Sequence, residues 1–196
     1  MAELAHGLGY WAATFHAVPG CPATGSAGLG EALAAVPSTD SDAWFISQRV
    51  AAIDGRSFGP AVGAASLPAD ADEAISLVID LALRVLATNP AGAIAFVHAV
   101  TVPACARHLL PYVADGQRSV VADQAWWVLA AMWSTYGTEP PLVAVDRPPA
   151  TWDALIAAAL ASGDEHDIKL TIAARDQCGR VDDALLRHAV GTVVGA

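Results

Sequence analysis

Two groups of side chains in this sequence have the chemistry to do more than fill space. The first is His98, in the apolar run Ile94-Ala95-Phe96-Val97-His98-Ala99-Val100-Thr101. An imidazole buried there without a partner costs about 1–3 kcal/mol, so it must hydrogen-bond or ligate. Three readings stay open: a satisfied core histidine, a metal ligand, or a general base poised near the working pH. The second group is His166 with Lys169, which share one helical face. Leu170 and Ala173 follow on that face, which leaves open an inward lysine, unusual for this residue type. As an ammonium it cannot bind a cation. Deprotonated or carbamylated, it supplies a nitrogen or oxygen ligand. The alternative is a solvated lysine paired with Asp164 or Glu165.

The other histidines are weaker candidates. His6 and His16 lie roughly 15 Å apart along one straight helix and cannot share a small metal site there. His108 follows Arg107, and His188 follows Arg187 near a helix C-terminus, where the dipole favours a cation. Both read as surface or pairing residues. Trp126, Trp127 and Trp133 share a helix with Met132 and Tyr136, and they offer either an aromatic wall for a flat substrate or plain core. Cys21, Cys105 and Cys178 are odd in number and widely spaced, which fits isolated reduced thiols. There is no phosphate-binding glycine loop, dinucleotide turn, HExxH or GxSxG, so no nucleotide cofactor is implied.

Helices must position these groups. Apolar spacing and end signals predict them over 3–17, 29–36, 42–52, 70–88, 90–100, 102–113, 119–136, 152–161, 165–177 and 181–192. Ser41, Asn89, Thr151 and Asp164 read as N-caps. Residues 54–69 carry Gly55, Gly59, Pro60, Gly63 and Pro68 and read as a long irregular connection. Residues 138–150, with four prolines, read as an extended link. No period-two alternation is long enough to found a sheet. The expectation is an all-α array of about eight to ten helices in one domain, with irregular loops in its first third.

Composition narrows the partners. The net charge is −10, which disfavours nucleic acid and anionic membrane surfaces. No signal segment opens the chain and no uninterrupted apolar run of transmembrane length is read, so a cytoplasmic location is expected. Hydrophobic residues make up 55% and charged residues 15%, against roughly 25% charged in ordinary soluble domains. That balance predicts extra buried area in a homo-oligomer or against a companion chain. A high alanine content is the alternative explanation.

Three stretches, taken in order, resemble the questin oxidase-like family. One runs from Phe96-Val97-His98-Ala99-Val100-Thr101 to Leu109-Leu110-Pro111-Tyr112. A second is the tryptophan helix from Trp127 to Tyr136-Gly137, and the third, most specific, is Gly163-Asp164-Glu165-His166-Asp167-Ile168-Lys169. Gly9-Tyr10-Trp11-Ala12-Ala13 resembles a further family segment. Members are metal-dependent or otherwise oxygen-using enzymes that oxidise and open rings of anthraquinone-type polyketides.

The resemblance covers most of this chain but about the second half of a family member. It implies a catalytic set of His98, His166 and Lys169, with the histidines as neutral ligands of a non-haem iron and Lys169 as a ligand or as a group that shapes the site. The family's further histidines lie in the other half, so the shell is left to be completed by His6 or His16, by a partner chain, or not at all. Two other classes compete with a metal oxygenase. One is a cofactor-free oxygenase with His98 as base. The other is a non-catalytic helical module that binds a ligand or scaffolds a partner.

Overall fold

The computed structural model describes residues 17–145 and 149–195. Among them are nine α-helices: α1 (Leu29–Ala34), α2 (Ile46–Ala51), α3 (Gly55–Gly63), α4 (Ala71–Thr88), α5 (Ala93–Arg107), α6 (Arg118–Tyr136), α7 (Trp152–Ser162), α8 (Glu165–Asp176) and α9 (Asp183–Val194). Three 3-10 turns and a few isolated bridges complete the described structure, which contains no strand. The fold is all-α. The helix expected over 3–17 lies outside the described residues.

Helix α4 is the axis of the core. Asp70 starts it by accepting from the Glu73 N–H at 2.9 Å, and Asp72 and Glu73 sit in the first turn, where the dipole favours acids. Ile75, Val78, Ile79, Ala82, Leu83 and Leu86 are all buried on it. Burying a large aliphatic side chain stabilises by about 1.5–3 kcal/mol, so this stripe holds the array together. Helices α5, α6 and α9 pack on α4, and α5 also packs on α8. Helices α7, α8 and α9 contact one another as a C-terminal trio.

Three expectations change. Residues 54–69 are not all irregular, because Gly55–Gly63 forms α3. Asp54 caps it by accepting from the Arg56 N–H at 3.2 Å, and Phe58 and Val62, one turn apart, are buried. The cap and this spacing outweigh the glycines and Pro60. The helices expected over 90–100 and 102–113 are joined: Pro90–Gly92 is a 3-10 turn, and α5 then runs through Pro103. The proline removes a helical hydrogen bond, at a cost of about 3 kcal/mol. Packing of α5 against α4, α6 and α8 offsets it. Asn89 does not cap α5; its side chain turns to the backbone of Thr138 and Glu139 instead.

The stretch Pro90–Tyr112 is long and apolar enough to cross a membrane by length and composition, with a mean hydropathy of 1.4. Half of that window is buried inside the fold, and Arg107 is buried within it. Its packing is that of a core helix.

Candidate functional site

The site is set by the corner between α7 and α8. Thr151 caps α7, accepting from the Ala154 N–H at 3.3 Å. Gly163 ends α7 at φ 67°, a left-handed conformation that glycine adopts without steric cost. Asp164 then starts α8. Its own N–H donates to the Ser162 hydroxyl oxygen at 3.1 Å, while its carboxylate accepts from the His166 N–H at 2.7 Å. The same oxygen lies 3.1 Å from Nδ1 of the His166 ring. With Nδ1 donating to Asp164, a neutral His166 carries its free lone pair on Nε2.

His98 comes to this corner from the middle of α5. Its ring meets that of His166 edge to face, with centroids 5.6 Å apart and planes at 85°. His98 is half-buried, and the His166 side chain is 23% exposed. Burial holds the His98 imidazole below its ordinary pKa, and the nearby His166 and Lys169 push it the same way, against a smaller opposing pull from Glu165. Desolvation and like charge both disfavour the imidazolium. His98 is therefore neutral at physiological pH, the form in which it accepts a proton or donates a lone pair.

Lys169 does not turn inward. Its side chain is 55% exposed and its Nζ donates to Glu165 Oε2 at 2.7 Å. The long stem lets the ammonium reach back one turn into water, so it acts on the histidines through its charge. It holds the Glu165 carboxyl below the usual range.

No family model, curated protein or solved structure matches the chain. The site must be read from its own residues. Two imidazoles converge, but among the described residues no group of three or more His, Cys, Asp and Glu side chains is placed to hold a metal ion. An open non-haem iron centre wants two histidines and a carboxylate on one face. Asp164, the carboxylate closest at hand, is engaged by the far nitrogen of His166. The described donor set does not by itself fit an iron centre. His6 and His16 lie outside the described residues.

Between α5 and α8 a groove of about 450 Å³ is lined by Thr101, Ala104, Cys105, Ile172 and Ala173, together with His108, Lys169 and Asp176; His98 and His166 do not line it. The tryptophans lie elsewhere. Trp126 is fully buried and donates to the Val62 carbonyl at 3.0 Å. Trp127 donates to the Cys21 carbonyl at 2.9 Å, and its ring lies so close over Gly20 that a Cβ there would come within 2.1 Å. Trp133 packs in the same way against Gly137. None of the three lines this groove. His108 pairs with Asp176 at 3.1 Å on the surface, and His188 is half-buried on α9. The three cysteines are free. Sequence reading found Asp164 as a cap but missed it as the partner of the His166 ring. The signal was the two-residue spacing, which lets one carboxylate reach both groups.

Proposed function

We propose that the chain is a questin oxidase-type oxidoreductase, or one subunit of such an enzyme, acting with dioxygen on a flat aromatic polyketide-type substrate. What carries the reading is the meeting of His98 and His166 beside an apolar groove, with His98 held neutral. A neutral imidazole one helical turn from Thr101, which lines that groove, is suited to take a phenolic proton from a ring reaching past it. General-base help of this kind contributes about 10²–10⁴-fold. The resulting phenolate is electron-rich and open to dioxygen. His166, aimed by Asp164, positions the second imidazole to receive or return the proton. Lys169 supplies positive potential toward the developing oxyanion.

The non-haem iron implied by the resemblance belongs to this proposal. It would need ligands beyond the two histidines, from outside the described residues or from a companion chain. The proton step does not depend on it. Exposed Ile94 and Val102 on α5, Leu109 just beyond it, Leu160 on α7 and Ile172 on α8 support a homo-oligomer or such a companion.

A second reading, a non-catalytic ligand-binding module, is favoured by the two-imidazole donor set. Oxygen uptake separates the two. The full chain is incubated with a hydroxyanthraquinone, with and without ferrous iron, and products are weighed by mass spectrometry. The expected result is oxygen uptake and a ring-oxidised product, lost roughly 100-fold in His98→Ala. Uptake no faster than in His98→Ala under both conditions overturns the oxidase reading. Ligand binding without uptake then leaves the module.

A further inference from the structure

A separate cavity of about 520 Å³ lies where the loop before α2, the end of α6 and the start of α5 converge. We propose that it binds a planar aromatic monoanion, an aryl carboxylate or phenolate. The volume falls within the range of small-ligand pockets. It is lined by Trp44, Ile46, Arg49, Ile94 and Tyr136, and by Asp42.

Trp44 is 88% exposed. An indole normally buries 150–250 Å² and stabilises the fold by doing so. This one contributes little to the core, and its face is open to stack on a ligand. Arg49 is held in place by two contacts. Its Nε donates to the Ala43 carbonyl at 2.7 Å, and its guanidinium lies 4.9 Å over the Tyr136 ring. A guanidinium has five N–H donors in a rigid fork. Ala43 takes one, and no carboxylate among the described residues forms an ion pair with Arg49. The remaining edge is matched to a carboxylate or phenolate oxygen, and such charge-assisted pairs are the stronger hydrogen bonds. Asp42 in the lining selects against a second negative charge. Tyr136, desolvated in this wall, has its phenol pKa raised and stays neutral, so it adds no opposing charge.

Ile94 lines the cavity and precedes His98 by one helical turn, about 6 Å along α5. A ligand here lies one turn along α5 from His98, and its binding is independent of any turnover there. The test therefore reads binding alone. Isothermal titration of the full chain with 2-naphthoate and with the neutral isostere 2-naphthamide is expected to give one-to-one binding, with the anion at least ~10-fold tighter, a difference of about 1.4 kcal/mol. Trp44→Ala, at an exposed position the core does not need, weakens naphthoate at least ~10-fold. Arg49→Met, checked for helix content by circular dichroism, brings the two ligands to within about 2-fold of each other. Ile172→Asp, in the groove between α5 and α8, changes neither. Absence of binding at millimolar naphthoate overturns the proposal. So does equal affinity for acid and amide, or loss on Ile172→Asp in place of Trp44→Ala.

Discussion

One carboxylate oxygen, Oδ1 of Asp164, accepts from both the backbone N–H of His166 at 2.7 Å and its ring Nδ1 at 3.1 Å. The group that starts α8 is thus the group that aims its first functional ring. Helix register and imidazole orientation are coupled at one residue, and Gly163 just before it gives the chain the turn that makes this possible.

Asparagine caps helices about as well as aspartate, so Asp164→Asn keeps the start of α8 while removing the charge. The Asp164 carboxyl is held below its ordinary range, chiefly by the His166 backbone N–H and next by the ring. A depressed carboxyl contributes stability above its unfolded value, near pH 3.9, and that stability is lost as pH falls through the folded value. Wild type is expected to melt above Asp164→Asn at pH 6, with the gap closing below about pH 3. A gap that is the same at pH 2.5 and pH 6 would show that charge is not its source.

His98 follows the same sign. Its pKa is depressed, so the folded chain resists protonating it, and the stability this provides is present above about pH 6.5 and lost as pH falls through the lower folded value. In a histidine-resolved NMR titration the His98 midpoint is expected below that of an unperturbed histidine. Lys169→Met and His166→Ala are each expected to raise it. Burial is the largest cause, so neither restores the full ordinary value. An activity that needs neutral His98 keeps its acid limb below pH 6.5 in wild type and moves it upward in Lys169→Met. A midpoint unmoved by both substitutions would remove His166 and Lys169 from the electrostatics.

Much of this was legible in the sequence because it is local. Thr151 and Asp164 cap as read, though Ser41 does not, since α2 starts at Ile46 after Phe45, and the apolar run around His98 is a helix packed against α4, α6 and α8. Spacing left Lys169 open between an inward ligand and a solvated partner of Glu165, because spacing fixes where its Cα lies while a four-carbon stem decides where the ammonium goes; the solvated pairing is the one formed. Pro103 was misread because local cost is outweighed by packing from three neighbouring helices. The cavity of Trp44, Arg49 and Tyr136 left no periodic signal at all. It draws on three separate segments, 42–49, 90–95 and Tyr136, and only the tertiary fold brings them together.

Arg107 ties the end of α5 to α4 and α8. Its guanidinium donates to Gln177 Oε1 at 2.7 Å, Ser76 Oγ at 2.7 Å and the Asp72 carbonyl at 3.1 Å, and the residue is 6% exposed. Arg107→Met leaves Gln177, itself buried, without that partner, and is expected to cost about 2–3 kcal/mol in urea unfolding. Arg107→Lys is expected to recover less than half, because a point charge cannot span three acceptors set in a fork. A lysine variant as stable as wild type would mean that charge alone matters at this junction.

Asn89 makes the corresponding tie at the other end of α4. It is 1% exposed. Its Nδ2 donates to the Val85 and Glu139 carbonyls at 2.9 and 3.0 Å. Its Oδ1 accepts from the Thr138 and Glu139 N–H groups at 2.8 and 2.9 Å. The amide thus closes the end of α4 and anchors the link that leaves α6 just beyond Tyr136. Asn89→Ala leaves these backbone groups without partners where water reaches them poorly, at an expected cost of about 2–3 kcal/mol. For a chain of this size that is a fall in melting temperature of roughly 5–10 °C. Asn89→Asp keeps the acceptor but turns a carboxylate oxygen toward two carbonyls, so it is expected to be no better than alanine near neutral pH. Hydrogen exchange distinguishes this tie from a general loss of packing. In Asn89→Ala the Thr138 and Glu139 amides are expected to exchange much faster, while amides in the middle of α6 slow or quicken only with global stability. Unchanged protection at Thr138 and Glu139 would show that the link is held by something other than Asn89.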